Sequence, residues 1–93
     1  MAKSKFKQAL KNLGDFLYNA RKKAGFTQDE AARAIGLLSP QFISNCERGL
    51  CKPSAKYQKF IIDKCKASKN DLIKHLLTVE KIKLLDDISD ATL

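Results

Sequence analysis

The apolar positions near the start of the chain recur every three or four residues, which is the spacing of one face of an α-helix. These positions are Phe6, Leu10, Leu13, Leu17 and Ala20. They predict a helix over residues 5–24 that ends at Gly25, since glycine readily takes the backbone conformation that closes a helix. Strand-type alternation and Asn-Gly or Asp-Gly hairpin signals are absent from the sequence. We therefore expect an all-α fold.

Two short helices are predicted on either side of Gly36. Thr27 has the character of an N-cap, and Glu30, three residues later, completes a capping box. Ser39 likewise precedes the next helix as its N-cap, with Pro40 at the first position, where a backbone N–H is not needed. The core-facing positions of these two helices are Ala31, Ala32, Ile35, Ile43 and Cys46.

The remainder of the chain predicts two more helices. The third helix ends before Gly49, and a loop leads to Ser54 as the N-cap of a fourth. Ser68 with Asp71 marks the start of a fifth. The apolar positions of helices four and five are Tyr57, Phe60 or Ile61, Cys65, Leu72, Ile73, Leu76, Leu77, Val79, Ile82, Leu84 and Leu85. The acidic residues 86–93 are expected to be frayed.

The second and third helices meet the geometric demands of a helix-turn-helix, in which the second helix of the motif enters the DNA major groove. Ala32 supplies a small residue where the helices cross, and Gly36 tolerates a positive φ in the turn. The residues left on the outer face of the third helix are Pro40, Gln41, Ser44, Asn45 and Arg48. Gln and Asn can pair with adenine, and Arg with guanine or phosphate. The alternative is a plain helical corner without a DNA contact.

The excess positive charge is confined to the part of the chain that contains this motif. Residues 1–66 hold 14 Lys and Arg against 5 Asp and Glu, a net of +9, whereas residues 67–93 hold 4 against 5, a net of −1. The basic start of the chain includes Lys3, Lys5, Lys7 and Lys11. Such a field attracts polyanions, and counterion release would favour nucleic-acid binding. A basic face can also serve only to keep a small protein soluble.

Several separately spaced features resemble the phage-repressor-like helix-turn-helix regulators of the Cro/C1, or XRE, type. They lie in "LGDFLYNARKKAGFTQDEAARAIG", in "FISNCERG" and in "KPSAKYQKFIIDKCKASKNDL", and the resemblance covers residues 13–77. It implies a compact five-helix DNA-binding domain that acts as a dimer on a two-fold operator. Residues 1–12 then form a basic N-terminal extension and the start of the first helix. Residues 78–93 form the end of the fifth helix and an acidic tail, a candidate segment for dimerisation or for binding a partner.

The resemblance also implies roles for individual residues. The residues that would contact base edges are Gln41, Ser44 and Asn45. The residues that would contact backbone phosphates are Thr27, Gln28, Arg48, Lys52 and Lys56. Arg21 and Glu47 match a buried ion pair that ties the first helix to the third, and a structural role is favoured for this pair over a DNA contact.

The sequence departs from the family pattern in two places. Between Gly36 and Glu47 it holds one residue more than usual, within "GLLSP". Because the extra residue precedes the Ser39 cap, the turn should absorb it while the third helix keeps its own register. Cys46 stands where a larger aliphatic residue is more usual, which thins the core slightly without changing the outer face.

The fifth helix has more apolar positions than one core-facing stripe requires. We expect part of it to pack against a second subunit, because one helix in one groove gives little specificity. The predicted seam of this homodimer consists of Leu76, Val79, Ile82 and Leu85. The alternative is a helix that wraps its own core.

The cysteine and histidine content and the absence of catalytic motifs argue against several classes of protein. Three cysteines without C-x-x-C spacing and the single histidine, His75, indicate neither a disulfide framework nor a metal site, and no cofactor is expected. Clustered carboxylates, phosphate-loop glycines and a G-x-S-x-G motif are absent, so we do not expect an enzyme. Without an apolar run of about 18 residues or a signal peptide, the chain is expected in the cytoplasm, on the nucleoid when bound to DNA.

We therefore expect a small transcriptional regulator, specifically a repressor that binds a palindromic operator as a homodimer through a recognition helix over residues 39–48. One alternative is an antitoxin-type interaction protein, which would bind a protein partner through "KIKLLDDISDATL" and use DNA only for autoregulation. Another alternative is an architectural protein that binds DNA without regard to sequence.

Overall fold

A computed structural model describes residues 2–91, with side chains described over residues 5–89. Five helices account for most of these residues: α1 (Ala2–Lys23), α2 (Gln28–Ala34), α3 (Gln41–Glu47), α4 (Ala55–Asp63) and α5 (Lys69–Ala91). No strand occurs within residues 2–91, so the prediction of an all-α, five-helix fold is confirmed. None of these helices is both long enough and apolar enough to cross a membrane. Lys3, counted in the basic extension, lies outside the described side chains.

The core lies where the two long helices pack against the three short ones. Its fully buried side chains are Leu13, Leu17, Ala31, Ala32, Ile43, Cys46, Tyr57, Ile61 and Val79. Between the long helices, the ring centroids of Phe16 on α1 and His75 on α5 are 5.1 Å apart. Every helix contributes to this set, so the short α2 and α3 owe their placement to burial rather than to their own length.

Side-chain caps set the starts of three helices. Thr27 Oγ1 accepts from the Glu30 amide at 3.0 Å, and Glu30 Oε1 accepts from the Thr27 amide at 2.9 Å, which confirms the predicted capping box. The hydrogen bonds that Thr27 gives to Glu30 lower the pKa of that carboxyl. Ser54 and Ser68 accept from amides three residues further on, at 3.3 and 3.2 Å, where the sequence predicted their helices to start.

The predicted start of α3 is wrong by one residue. Pro40, with φ −79° and ψ 2°, is the N-cap, and the helix begins at Gln41. Ser39 was expected to be the cap, but its Oγ accepts only from the Gln41 amide, at 3.4 Å. The Pro40 carbonyl accepts the first bond of the helix, from the Ser44 amide at 2.9 Å. The chain therefore enters α3 through the proline rather than through a serine cap.

The two long helices extend further than the sequence indicated. The first begins at Ala2 rather than near residue 5. The expectation of a frayed acidic tail is wrong for residues 86–91, which continue α5 as helix. An ion pair between Lys83 and Asp87, one turn apart at 4.0 Å, adds local support. Residues 92 and 93 of the predicted tail lie outside the described residues.

A glycine inside α1 allows that helix to approach the end of α3 closely. A Cβ atom on Gly14 would lie 2.5 Å from the backbone oxygen of Glu47 and 2.7 Å from that of Cys46. Cβ atoms essentially never come this near to other atoms, so only glycine fits between the two helices. The contact holds the C-terminal end of α3 against α1, and it thereby fixes the direction in which the outer face of α3 points.

Candidate nucleic-acid interface

The turn between α2 and α3 absorbs the extra residue as predicted. Gly36 takes a φ of +83°, a backbone region that other residues enter only with strain. Leu37 packs against the core, whereas Leu38 is fully exposed. The longer turn is thus accommodated by directing one side chain to solvent. Ile43 and Cys46 of α3 remain buried, as the sequence predicted.

The outer face of α3 consists of Gln41, Ser44, Asn45 and Arg48, each of them exposed or half-buried. Gln41 Nε2 donates to Asn45 Oδ1 at 2.8 Å, one helical turn away. This bond leaves the Gln41 carbonyl oxygen as an acceptor and the Asn45 amide group as a donor. An acceptor beside a donor is complementary to the N6 amino group and the N7 atom of adenine. The structure therefore brings two of the predicted base-contacting side chains together as a pair.

Beneath this face, the Glu47 carboxylate accepts hydrogen bonds from several helices. Arg21 Nε and Nη2 donate to it at 2.6 and 2.9 Å, Gln28 Nε2 donates at 2.9 Å, and the Tyr57 hydroxyl lies 3.5 Å away. The remaining guanidinium nitrogen, Nη1, donates to the Phe26 carbonyl at 2.7 Å. The predicted ion pair of Arg21 with Glu47 is confirmed, and both of its side chains are buried.

The buried charges and polar atoms of this cluster are paired with one another. The hydrogen bond to Glu47 raises the pKa of Arg21, so the guanidinium stays charged. Burial, and then the negative charge of Glu47, raises the pKa of Tyr57, so its hydroxyl stays a donor. Within the described side chains, every buried nitrogen or oxygen atom has a hydrogen-bond partner. One carboxylate thus connects α1, α2 and α4 to the end of α3, and this largely buried cluster positions α3.

Three of the predicted phosphate contacts lie around the start of α2 and the end of α3. Thr27 caps α2, and Gln28 shares a shallow groove with Arg48 and with Lys11 of α1. One amide N–H of Gln28 is already donated to Glu47 in the free protein. The second N–H of that amide is the one left for a phosphate oxygen.

The other two predicted phosphate contacts lie apart from that groove. Lys52 Nζ is 3.1 Å from the Glu80 carboxylate of α5, and both side chains are about half exposed. Exposed ion pairs of this kind are weak, so a phosphate can compete with Glu80 for the lysine. Lys56 is exposed on the first turn of α4 and lines a second groove with Gly36 and Lys59. The five residues are therefore spread along the surface.

The α1 side of the first groove is hardly indicated by the sequence. The sequence pattern places Lys11 only in the basic extension and indicates no role for Tyr18, yet both line the groove with Gln28 and Arg48. The guanidinium carbon of Arg21 lies 5.4 Å from the Tyr18 ring centroid. A separation of seven residues does put Lys11 and Tyr18 on one face of a helix. Nothing local shows, however, that this face of α1 meets α2 and α3.

Two cysteines lie side by side where α3 ends. The Sγ atoms of Cys46 and Cys51 are 3.5 Å apart, and Cys46 Sγ is 3.8 Å from the Lys52 carbonyl oxygen. Burial, above all other effects, raises the pKa of the Cys46 thiol. Cys46 is thus a neutral side chain that fills the place of a small apolar residue in the core, as its position in the sequence predicted.

The structure corrects the predicted seam on α5. Val79 is fully buried in the core of its own chain, so its assignment to a contact between subunits is wrong. It lies two turns after the buried Leu72 and shares the inward face with it. Leu76 and Ile82 are half-buried against the same core, and Leu85 is exposed. The exposed large apolar side chains of α5 are Ile73, Leu77, Leu84, Leu85 and Ile88.

Comparison with known proteins places these features in a family. A family model described as "Helix-turn-helix domain" matches residues 12–76. The matched span runs from α1 into α5 and includes all of α2, α3 and α4. No curated protein and no solved structure gives a significant match. Because the matched span is more than half of the chain, the chain belongs to the helix-turn-helix domain family, of the Cro/C1 type that its sequence resembles.

Proposed function

We propose that the chain is a sequence-specific transcriptional regulator that binds double-stranded DNA with α3 in the major groove. The observation that carries the proposal is the division of α3 into two faces. Ile43, Cys46 and Glu47 hold the helix from inside, while Gln41 and Asn45 stay accessible on the outside. In a helix-turn-helix, the accessible face of the second helix is the one that reaches base edges.

The bond between Gln41 and Asn45 supports joint recognition of an adenine. Asn45 would donate to N7, and the Gln41 carbonyl would accept from the N6 amino group. The bond of 2.8 Å already restrains both side chains in the free protein. Less rotamer entropy is then lost on binding than two independent side chains would lose. Ser44, which lies between them in the sequence, would contact a neighbouring base edge.

Phosphate contacts would supply the part of the affinity that does not depend on sequence. We assign them to Thr27, Gln28, Arg48, Lys52 and Lys56. The net charge of +9 over residues 1–66 supports this assignment, because cations that neutralise phosphates release condensed counterions. Binding should therefore weaken steeply as salt is raised.

We further propose that the regulator is a repressor that acts as a homodimer on a palindromic operator. Two recognition helices about 34 Å apart would occupy two half-sites. Ile73, Leu77, Leu84 and Ile88 are exposed and lie on the side of α5 turned away from the buried Leu72 and Val79.

The spacing of these four residues, four then seven then four, is the same in both chain directions. An antiparallel pair of α5 helices around a two-fold axis would then set Ile73 opposite the partner's Ile88 and Leu77 opposite the partner's Leu84. This stripe replaces the seam predicted from the sequence.

Selection of bound duplexes from a random DNA library tests the proposed function. A palindromic consensus, bound far more tightly than random DNA at the same salt concentration, is the expected result. Equal affinity for unrelated duplexes, with a steep salt dependence on each, would contradict sequence-specific regulation and indicate an architectural protein.

Variants of the outer face separate base contacts from phosphate contacts. Gln41→Ala and Asn45→Ala should each lower discrimination at individual base pairs by about 1–3 kcal/mol, whereas Arg48→Ala should weaken binding to all sequences alike and reduce the salt slope by about one. Titrations of the selected duplex and its point variants measure both effects. Lys74→Ala, which removes an exposed charge from α5, is the matched control and should leave discrimination unchanged. Unaltered discrimination in the Gln41 and Asn45 variants would show that other residues contact the bases.

A second candidate function is that of an antitoxin-type protein with a different protein as its partner. The exposed apolar side chains of α5 favour it as well, because most of them lie beyond residue 76, where the family match ends. In that case another protein, rather than a second copy, would cover them. A chain that remains monomeric well above the concentration at which it binds DNA would favour this candidate over the homodimer.

A further inference from the structure

We propose that Cys46 and Cys51 form a reversible disulfide at the end of α3, and that this two-electron redox site reacts with hydroperoxides through Cys51. The two sulfur atoms lie 3.5 Å apart. A disulfide bond measures about 2.05 Å, so an approach of roughly 1.5 Å is enough to form it. The proposal concerns a covalent modification of the chain and does not rest on the proposed function.

A fixed turn brings the two cysteines together. Gly49 takes a φ of +75°, and its amide donates to the Cys46 carbonyl at 3.1 Å. The Leu50 amide donates to the Asn45 carbonyl at 2.9 Å. These two bonds form a glycine-dependent helix end that reverses the chain, so residue 51 returns to the side of residue 46. The backbone turn therefore brings Cys51 beside Cys46.

The surroundings of the turn hold it in place. A Cβ atom on Gly49 would lie 2.9 Å from the Cα atom of Lys11, so α1 packs directly against the turn. On the other side, Lys52 is tied to Glu80 of α5. The start of the loop between α3 and α4 is thus held against α1, while the exposed Lys52–Glu80 pair adds only a weak restraint after Cys51.

The two thiols differ in their exposure to solvent, and this difference assigns each of them a step in the oxidation. Cys51 is half-buried and can be reached from solvent, whereas Cys46 is buried. The raised pKa of Cys46 keeps that thiol protonated at neutral pH, and only thiolates attack oxidants efficiently. Cys51 is therefore the sulfur that reacts first, and Cys46 is the one that resolves the product.

The chemistry balances with one hydroperoxide. The Cys51 thiolate attacks a peroxide oxygen, the O–O bond breaks, and the leaving hydroxide or alkoxide takes up a proton, so Cys51 becomes a sulfenic acid. Cys46 then attacks the Cys51 sulfur, the S–O bond breaks, and water leaves with the Cys46 proton. The two thiols lose two electrons and two protons in total. Hydrogen peroxide is thereby reduced to two water molecules, and an organic hydroperoxide to one water molecule and one alcohol. Thiol–disulfide exchange with an added dithiol restores both cysteines.

The third cysteine provides an internal control. Cys65 is buried at the end of α4, and burial raises its pKa too. Among the described side chains, no sulfur lies in contact with it. It should therefore remain a free thiol when the other two are joined.

The test uses the full chain, reduced and freed of reductant, then treated with an equimolar amount of hydrogen peroxide. After denaturation, N-ethylmaleimide labels every remaining thiol. The expected product is a monomeric chain, lighter than the reduced chain by two hydrogen atoms before labelling, that carries a single label on Cys65. Trypsin cuts after Arg48, between the two cysteines, so the disulfide should join the peptides 34–48 and 49–56, and dithiothreitol should separate them.

Single substitutions make the assignment of the two roles falsifiable. Cys65→Ser should form the same disulfide at the same rate. Cys46→Ala should leave a sulfenic acid at Cys51 that dimedone can trap, and Cys51→Ser should leave Cys46 unreacted. Three labels after peroxide treatment, a bond that involves Cys65, a bond between two chains, or sulfenic acid at Cys46 would each overturn the proposal. Circular dichroism of each variant shows whether its fold is retained. Where a variant unfolds, peptide mapping of the oxidised parent chain provides the test instead.

Discussion

The Glu47 carboxylate shows how far the roles of single residues follow from a sequence. Resemblance to known regulators implied Arg21 as its partner, and the two side chains approach to 2.6 Å. Gln28 and Tyr57, nineteen and ten residues away in the chain, were not expected to reach it. No local spacing indicates contacts over such separations, so Gln28 could only be assigned to phosphate. The structure gives it a partner inside the protein as well.

Removing one member of the Arg21–Glu47 pair should be costly. Arg21→Ala or Glu47→Ala would leave the other charge buried and unpaired, and each should lower the free energy of unfolding by about 3–5 kcal/mol. Chemical denaturation measures the loss. The double variant Arg21→Met with Glu47→Leu is the control, since it removes both charges while keeping apolar volume, and it should lose less than either single variant. The single variants Arg21→Met and Glu47→Leu complete the cycle, and losses from these two that simply add in the double variant would argue against a coupled pair.

At the scale of helices, the sequence correctly predicted the start of each helix that has a side-chain N-cap. Thr27, Ser54 and Ser68 are these N-caps. The same rule failed at Ser39, because Pro40 holds the cap position and the helix begins one residue later than predicted. The acidic residues after Leu85 suggest an earlier end to α5, but the helix continues to Ala91 because no proline or glycine interrupts it there.

The crossing of α1 and α3 predicts an unusual response to an alanine substitution. Replacing a glycine inside a helix by alanine normally stabilises the protein by about 0.5–1 kcal/mol. Gly14→Ala should instead destabilise it, by about 1–3 kcal/mol, because the new Cβ would collide with the Glu47 and Cys46 carbonyls. Thermal unfolding decides the sign. Asn12→Ala, at an exposed position of the same helix, is the control and should change stability little.

At the scale of the whole molecule, the fold class and the helix-turn-helix were predictable, whereas the face of α5 that meets solvent was not. Leu72 and Val79 form one apolar stripe, and Ile73, Leu77 and Leu84 form part of another. Both stripes have helical spacing, so periodicity alone cannot say which of them is buried. Packing against the rest of the chain decides, and it selects the stripe of Val79.

If the exposed stripe is the seam of a homodimer, polar substitutions within it should separate the subunits without unfolding them. Leu77→Glu together with Leu84→Glu should shift the sedimentation coefficient from that of a dimer to that of a monomer. The same variant should weaken binding to the palindromic site more than tenfold while its circular dichroism spectrum stays helical, because both residues are exposed on the single chain and do not hold its core. Leu38→Glu, which changes an exposed leucine outside the stripe, should leave the dimer intact. Persistence of the dimer in the double variant would exclude this seam.

The buried face and the outer face of α3 have separate roles. Ile43, Cys46 and Glu47 are buried and hold the helix against the rest of the chain. Gln41 is exposed and Ser44 and Asn45 are half-buried on the outer face, so we expect many exchanges at these positions to leave the buried face of the helix in place. A library randomised at those three positions alone should yield folded proteins at high frequency, with target preferences that differ from member to member. The domain would in this sense be a scaffold whose binding specificity can be changed while its fold is retained.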